Sequence, residues 1–200
     1  MRYLSLLTFP VLLACATVHA DSGGNKEMES VGIVDETGAL FGLRFAPPDE
    51  EGWTRKSSGL SVTLEKNADS NEDSREIEAY PIRLNAPVSP TSAYIDNIKR
   101  NLVDSYKNNK EFKISTFDVT QDPNNSRCTR VHLLLESKLP DQTTQERKWS
   151  EQYTLSCGFL KYKGMGFELR YYHRYIDSKK DDQFIEDARR LLDSVVIDNN

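Results

Sequence analysis

Two cysteines, Cys128 and Cys157, bracket two strand-like stretches and the polar loop between them, and their spacing constrains the fold more than any other feature of the chain. Residues 126–137 (SRCTRVHLLLES) are rich in Val, Leu and Thr and carry no Gly or Pro; residues 149–160 (WSEQYTLSCGFL) have the same character with added aromatics. The intervening KLPDQTTQERK is polar and contains Pro140, so it reads as a loop. Antiparallel partners have residue numbers of constant sum. For Cys128 and Cys157 the midpoint is 142.5, the centre of that loop. A symmetric hairpin therefore sets the two cysteines opposite each other. Opposed residues have Cα atoms about 4.5–5.5 Å apart, inside the span of about 4.4–6.8 Å that a disulfide needs. Closing that loop is worth on the order of 3–4 kcal/mol. Two free, buried, inert thiols are the competing reading.

The same geometry argues against chemistry at the cysteines. His132 lies four residues after Cys128 on one strand phase, a separation of about 13 Å. That is beyond a Cys–His hydrogen bond and beyond shared ligation of one zinc. His132 is expected to be a packed or half-exposed strand residue.

Export would explain paired cysteines, and the first 20 residues read as a signal peptide. Arg2 precedes the short apolar run LSLLTFPVLLA, and Val18-His19-Ala20 fits a cleavage site before Asp21. A second processing reading stands beside it: Leu12-Leu13-Ala14-Cys15 resembles a bacterial lipobox, in which Cys15 would be lipidated and become the N-terminus. Residues 21–30 (DSGGNKEMES) read as a flexible tether, and 31–198 as one domain. Loss of the signal removes Arg2 and no acid, which takes the formal charge from −5 to −6. An acidic domain lacks the dense positive field that phosphate contacts need, so no nucleic-acid partner is expected. Membrane attachment would come only through a lipid on Cys15.

Along the domain, Phe41, Leu43 and Phe45 alternate, as do Leu60, Val62 and Leu64, which predicts strands. Asp69, Asn71 and Asp73 match the first ligand positions of an EF-hand loop, but Ser74 stands where glycine is needed and Tyr80 where the bidentate glutamate is needed, so a solvated loop is expected and no metal. Residues 75–84 read as a strand that Pro81 confines to an edge or a bulge. Ser89-Pro90 opens a helix whose stripe is Ile95, Ile98, Leu102 and Tyr106. In residues 112–120 the apolar phase changes between Ile114 and Phe117, predicting a bulge near Ser115-Thr116. Residues 167–176 form the last predicted strand: Phe167, Leu169, Tyr171, His173 and Tyr175 on one face, Glu168, Arg170, Tyr172 and Arg174 on the other. The second face is a candidate binding surface through Arg170, Tyr172 and Arg174, able to hold an acidic or aromatic partner; a solvated sheet face is the plainer reading. Ser178-x-x-Asp181 resembles a capping box before a closing helix with the stripe Phe184, Ala188, Leu191 and Val195, widened by Ile185 and Leu192, and with Glu186 and Arg190 placed to pair.

The order predicts an α+β domain: a mainly antiparallel sheet with two amphipathic helices packed on it. It resembles the PsbP-like superfamily, which includes the photosystem subunit PsbP and the envelope lipoprotein family DcrB. The resemblance covers about residues 43–198. It rests on Phe45-Ala46-Pro47-Pro48 with Gly52-Trp53, on the Pro-led helix, and on Leu191-Leu192-Asp193-Ser194-Val195. It implies a binding or assembly factor and carries over no catalytic residue and no cofactor.

The signal and lipobox readings imply export, and with what the resemblance implies the expectation is an exported, non-catalytic binding or assembly module of the bacterial envelope, periplasmic or lipid-anchored, with an envelope protein as partner. A periplasmic small-ligand binder is the first alternative. An exported hydrolase using carboxylates is the second; the chain has neither Gly-x-Ser-x-Gly nor His-Glu-x-x-His. Cysteines so far apart also lack the Cys-x-x-Cys spacing of a thiol oxidoreductase.

Overall fold

The structure is a computed structural model that describes residues 28–34, 40–70, 72–84, 92–159 and 164–199. The signal-peptide and lipobox readings, Cys15 included, and the Ser89-Pro90 helix start lie outside the described residues. The strands are β1 (Glu29–Val34), β2 (Leu40–Phe45), β3 (Thr54–Ser58), β4 (Ser61–Lys66) and β5 (Asp73–Arg83), then, after α1 (Ser92–Lys107), β6 (Phe112–Gln121), β7 (Cys128–Ser137), β8 (Lys148–Gly158) and β9 (Met165–Ile176). Helix α2 (Phe184–Asp193) and strand β10 (Val196–Asn199) close the chain. The fold is α+β, mostly antiparallel sheet with two helices, as its alternating and helical periodicities predict.

The seven-stranded sheet runs β3-β4-β5-β9-β8-β7-β6, and every neighbouring pair is antiparallel. In the β7–β8 hairpin the pairing runs unbroken from Cys128↔Cys157 to Glu136↔Trp149, the register that a loop centred at 142.5 dictates. The register shift in β6 falls between Ile114 and Thr116, where the apolar phase changes. Strand β9 lies between β5 and β8, and its alternation separates the two faces. Phe167, Leu169, Tyr171, His173 and Tyr175 are all buried, whereas Arg174 is exposed.

The inner face of this sheet is covered by two elements. One is a second sheet, ordered β1-β2-β10. Its Phe41, Leu43 and Phe45 join Ile77, Ala79, Leu155 and Leu169 in one core. The other is α2, which contributes Phe184, Ala188, Leu191 and Leu192. Burying each such Leu or Phe is worth about 1.5–3 kcal/mol. On the opposite face α1 packs on β6, where Val119, Leu133 and Leu135 are buried apart from the main core. Close approach of β8 and β9 requires Gly166, where a Cβ would lie 2.1 Å from the Cys157 carbonyl oxygen.

Several sequence expectations are corrected. Glu29 and Ser30, read as the end of the tether, open β1, because Glu29↔Phe45 pairing gives them a ladder partner. Strand β5 is internal, not an edge. Pro81 is tolerated because the pairing of β4 stops at Val62↔Ala79, so β5 runs past its neighbour there. The Ser178-x-x-Asp181 capping box does not form. Residues Asp177–Lys179 make a short 3-10 turn, and α2 begins only at Phe184, behind Gln183, which makes no side-chain cap. Ile185 points to solvent rather than widening the stripe. Arg190 pairs with Asp187 and not with Glu186. The three-stranded sheet was not anticipated.

Candidate functional site

The two faces of β9 carry two polar constellations. On the outer face, Glu168 is the hub. Its Oε1 accepts from Tyr80 Oη at 2.6 Å and from Arg170 Nε, and its Oε2 accepts from Ser156 Oγ at 2.7 Å. Arg170 also donates through Nη1 to Tyr172 Oη at 3.0 Å and lies over the Tyr80 ring at 5.0 Å. Burial opposes the charge on Arg170, but Glu168, Tyr172 and Tyr80 more than offset it and hold the guanidinium above its ordinary pKa. The same burial, with Glu168 beside it, pushes the Tyr80 phenol up. Burial also raises Tyr172 against the pull of Arg170.

The sequence-derived trio Arg170, Tyr172 and Arg174 therefore divides. Arg170 is a strut inside the lattice, and Tyr172 is fixed by it. Arg174 is exposed and rests over the Tyr172 ring at 6.0 Å. A depression of about 110 Å³ adjoins them, lined by Glu65, Glu76, Tyr172 and Arg174 among others. Burial and the neighbouring Glu78 raise the Glu76 carboxyl above its ordinary value. A broader groove of about 660 Å³ follows Lys56, Glu65, Asp69 and Ser70 along β3–β4.

On the inner face, charged residues occupy the apolar phase of β5 and β8. His173 is fully buried and places Nε2 2.9 Å from Asp73 Oδ1. Its ring centroid is 4.5 Å from that of Tyr175 and 5.1 Å from that of Phe184. Among the described residues its Nδ1 has no hydrogen-bond partner. Desolvation lowers its pKa, against the opposing pull of Asp73. Next to it, His132 Nε2 is 2.8 Å from Glu151 Oε1, and Tyr175 Oη donates to Glu151 Oε2 at 3.3 Å. His132 stacks on Tyr153 with centroids 4.3 Å apart. Arg75 Nη2 reaches Asp181 Oδ2 at 2.5 Å, just before α2.

A histidine with a carboxylate partner is two-thirds of a nucleophile-activating triad. Here it lies sealed under Phe184, and neither described cavity is lined by it. Sequence reasoning missed this cluster because Asp73 was taken as a loop residue. The signal was present: Asp73 and Arg75 share the phase of Ile77 and Ala79, and Glu151 that of Leu155 and Cys157. Asp73 thus serves His173; Asn71, another of the EF-hand positions, lies outside the described residues. Cys128 and Cys157 are joined, with Sγ atoms 2.09 Å and Cα atoms 4.2 Å apart, and both are buried in the main core.

No family model and no curated protein matches the chain. Among solved structures it is similar to the Saccharomyces cerevisiae Ran-binding protein Mog1p, at 7% identity over 86% of this chain and 97% of that one, with a TM-score of 0.45. It is likewise similar to a point mutant of Mog1, at 7% identity over 87% and 97%, with a TM-score of 0.43. The PsbP-like resemblance is corrected by these findings: the similar structures are Mog1 proteins, and no family model supports membership. The stretches that suggested it have local tasks instead. Ala46 donates its N–H to Ser194 Oγ at 2.9 Å, joining two of them. Gly52 supplies a φ of 92° and Trp53 packs on Tyr171 with centroids 6.0 Å apart.

Proposed function

We propose that the protein is an exported, non-catalytic binding or assembly module of the bacterial cell envelope, and that its partner docks on the outer face of β5, β9 and β8. The observation that carries this reading is the Tyr80–Glu168–Arg170–Tyr172 lattice. It spends its hydrogen bonds on fixing Tyr172 in place while Arg174 stands exposed beside it. Tyrosine and arginine are among the side chains enriched at binding hot spots. The disulfide and the N-terminal residues favour the exported setting.

Photo-crosslinking in cells tests it. A crosslinker at position 76, paired with Tyr172 on the same face, is expected to capture a discrete protein, whereas one at Ile185, exposed on α2, is not. Equal capture at both positions, or none at 76, overturns the reading. The 110 Å³ depression supports a second reading, a small ligand held by Arg174 and Tyr172. Native mass spectrometry of the purified protein would then show a discrete adduct that Arg174→Ala removes.

A further inference from the structure

Helix α2 is seated on the inner face by contacts at both ends. Arg130 on β7 reaches Asp193 Oδ1 at 2.6 Å, and Asn124 Nδ2 donates to the same oxygen at 3.0 Å. At the other end Arg75 holds Asp181, and Phe184 packs its ring against Tyr153, Tyr171 and His173. His173 is thus part of the floor on which the helix N-terminal turn rests.

The hydrogen bonds fix the resting protonation state. Nε2–H donates to the Asp73 carboxylate, which leaves Nδ1 as a lone pair facing no donor among the described residues. A neutral imidazole bears this at modest cost. A protonated one has a second N–H, and a buried charged donor without an acceptor is expensive. We propose that His173 is an acid-sensitive latch for α2: protonation puts a second N–H at the buried Nδ1, where no described residue accepts it, and the helix N-terminal turn packed on the ring lifts to let water reach it.

The groups around His173 set the sign. Asp73 and Arg75 face it from β5, Asp181 from the segment before α2, and Glu151 from the paired position on β8. Arg75 repels a second cation; Asp73 and Asp181 attract it. Asp181 is already engaged by Arg75, and Glu151 by His132 and Tyr175. Desolvation is the largest influence and lowers the pKa below 6.5. A base with a depressed folded pKa contributes stability that is complete above 6.5 and is lost as pH falls toward the folded value. Acid therefore loosens the seat.

Hydrogen exchange of the purified protein at about pH 7.5 and pH 5, corrected for intrinsic rates, tests the latch. Amides of residues 184–193 are expected to exchange at least about tenfold faster in acid while those of β8 and β9 keep their protection. In His173→Gln, whose amide still donates to Asp73, the acid response is expected to vanish. Unchanged α2 protection in the native chain overturns the proposal, as does an acid response that survives in His173→Gln. Imidazole NMR of the native chain gives a test that needs no variant. His173 should titrate below 6.5, with the α2 amides following the same midpoint; titration at or above 6.5 overturns the latch.

Discussion

The two faces of β9 use similar side chains to different ends. Inside, Tyr171, His173 and Tyr175 are aromatic residues whose polar atoms are confined under a helix. Outside, Glu168 holds Arg170, Arg170 holds Tyr172, and Arg174 stands exposed over the Tyr172 ring. One strand thus supplies both the centre of the core and the centre of the proposed docking face. The comparison teaches that burial decides whether a polar aromatic serves stability, recognition or a switch. On the inner face a polar atom must find a partner within the protein or remain unpaired. On the outer face solvent or a partner protein can take that place.

The comparison breaks first at the core. Leu169→Ala removes a side chain with no exposure at the centre of the sheet, and is expected to cost about 2–5 kcal/mol; chemical denaturation would measure it. Gly166→Ala should rival it, because a Cβ meets the Cys157 carbonyl oxygen at 2.1 Å and backbone must move. Reducing the Cys128–Cys157 bridge, or replacing both cysteines by alanine, is expected to cost about 2–5 kcal/mol. If the double variant melts with the native chain, the hairpin register alone holds β7 to β8. Next comes the hub of the outer lattice. Glu168→Ala leaves Arg170 half-buried without its carboxylate and frees Tyr80 and Ser156, an expected loss of about 1–3 kcal/mol. A larger loss than that of Leu169→Ala would invert the distinction between the faces.

Much of this was legible in the sequence. The Cys128↔Cys157 register followed from loop symmetry, and the β6 bulge from a change of apolar phase between Ile114 and Phe117. Both are local: a hairpin closes over its own loop, and a bulge is written in one strand. The β5–β9 pairing and the β1-β2-β10 sheet were not legible. They join segments distant in the chain, such as Asp73↔Tyr175 and Val196↔Arg44, and short strands such as β10 give little periodicity. The start of α2 was misplaced because Asp181, which looked like half of a capping box, is drawn to Arg75. On the outer face Arg170, Tyr172 and Arg174 could be assigned to one phase by alternation. That Arg170 is a strut and Arg174 is exposed depends on Glu168 and Tyr80, and Tyr80 sits on a strand whose pairing with β9 the sequence did not show.

Alkaline titration separates the faces more finely. Burial raises Tyr153 and Tyr171 from 10 to about 12 on the inner face, the latter against the pull of Arg75. A phenol whose folded pKa lies above 10 stabilises the fold fully below 10 and ceases to as pH rises through the folded value. Tyrosinate absorbance should therefore show a late group of phenols whose ionisation coincides with unfolding, Tyr80 of the outer lattice among them. Glu168→Ala should let Tyr80 titrate earlier, and Tyr172 to a lesser extent, since Glu168 is among the groups that raise both. An unchanged titration curve in that variant would mean that burial, not the lattice, holds Tyr80. The smallest effect is expected at Arg174→Ala. Its guanidinium is exposed and contacts the Tyr172 ring at 6.0 Å, and exposed cation–π contacts contribute about 0.5–1 kcal/mol at most. Stability should fall by no more than that, while crosslinking or adduct formation at this face is abolished. A residue that matters to binding but scarcely to folding is what a docking surface requires; if Arg174→Ala unfolds the domain instead, the outer face is a second core and the partner must dock elsewhere.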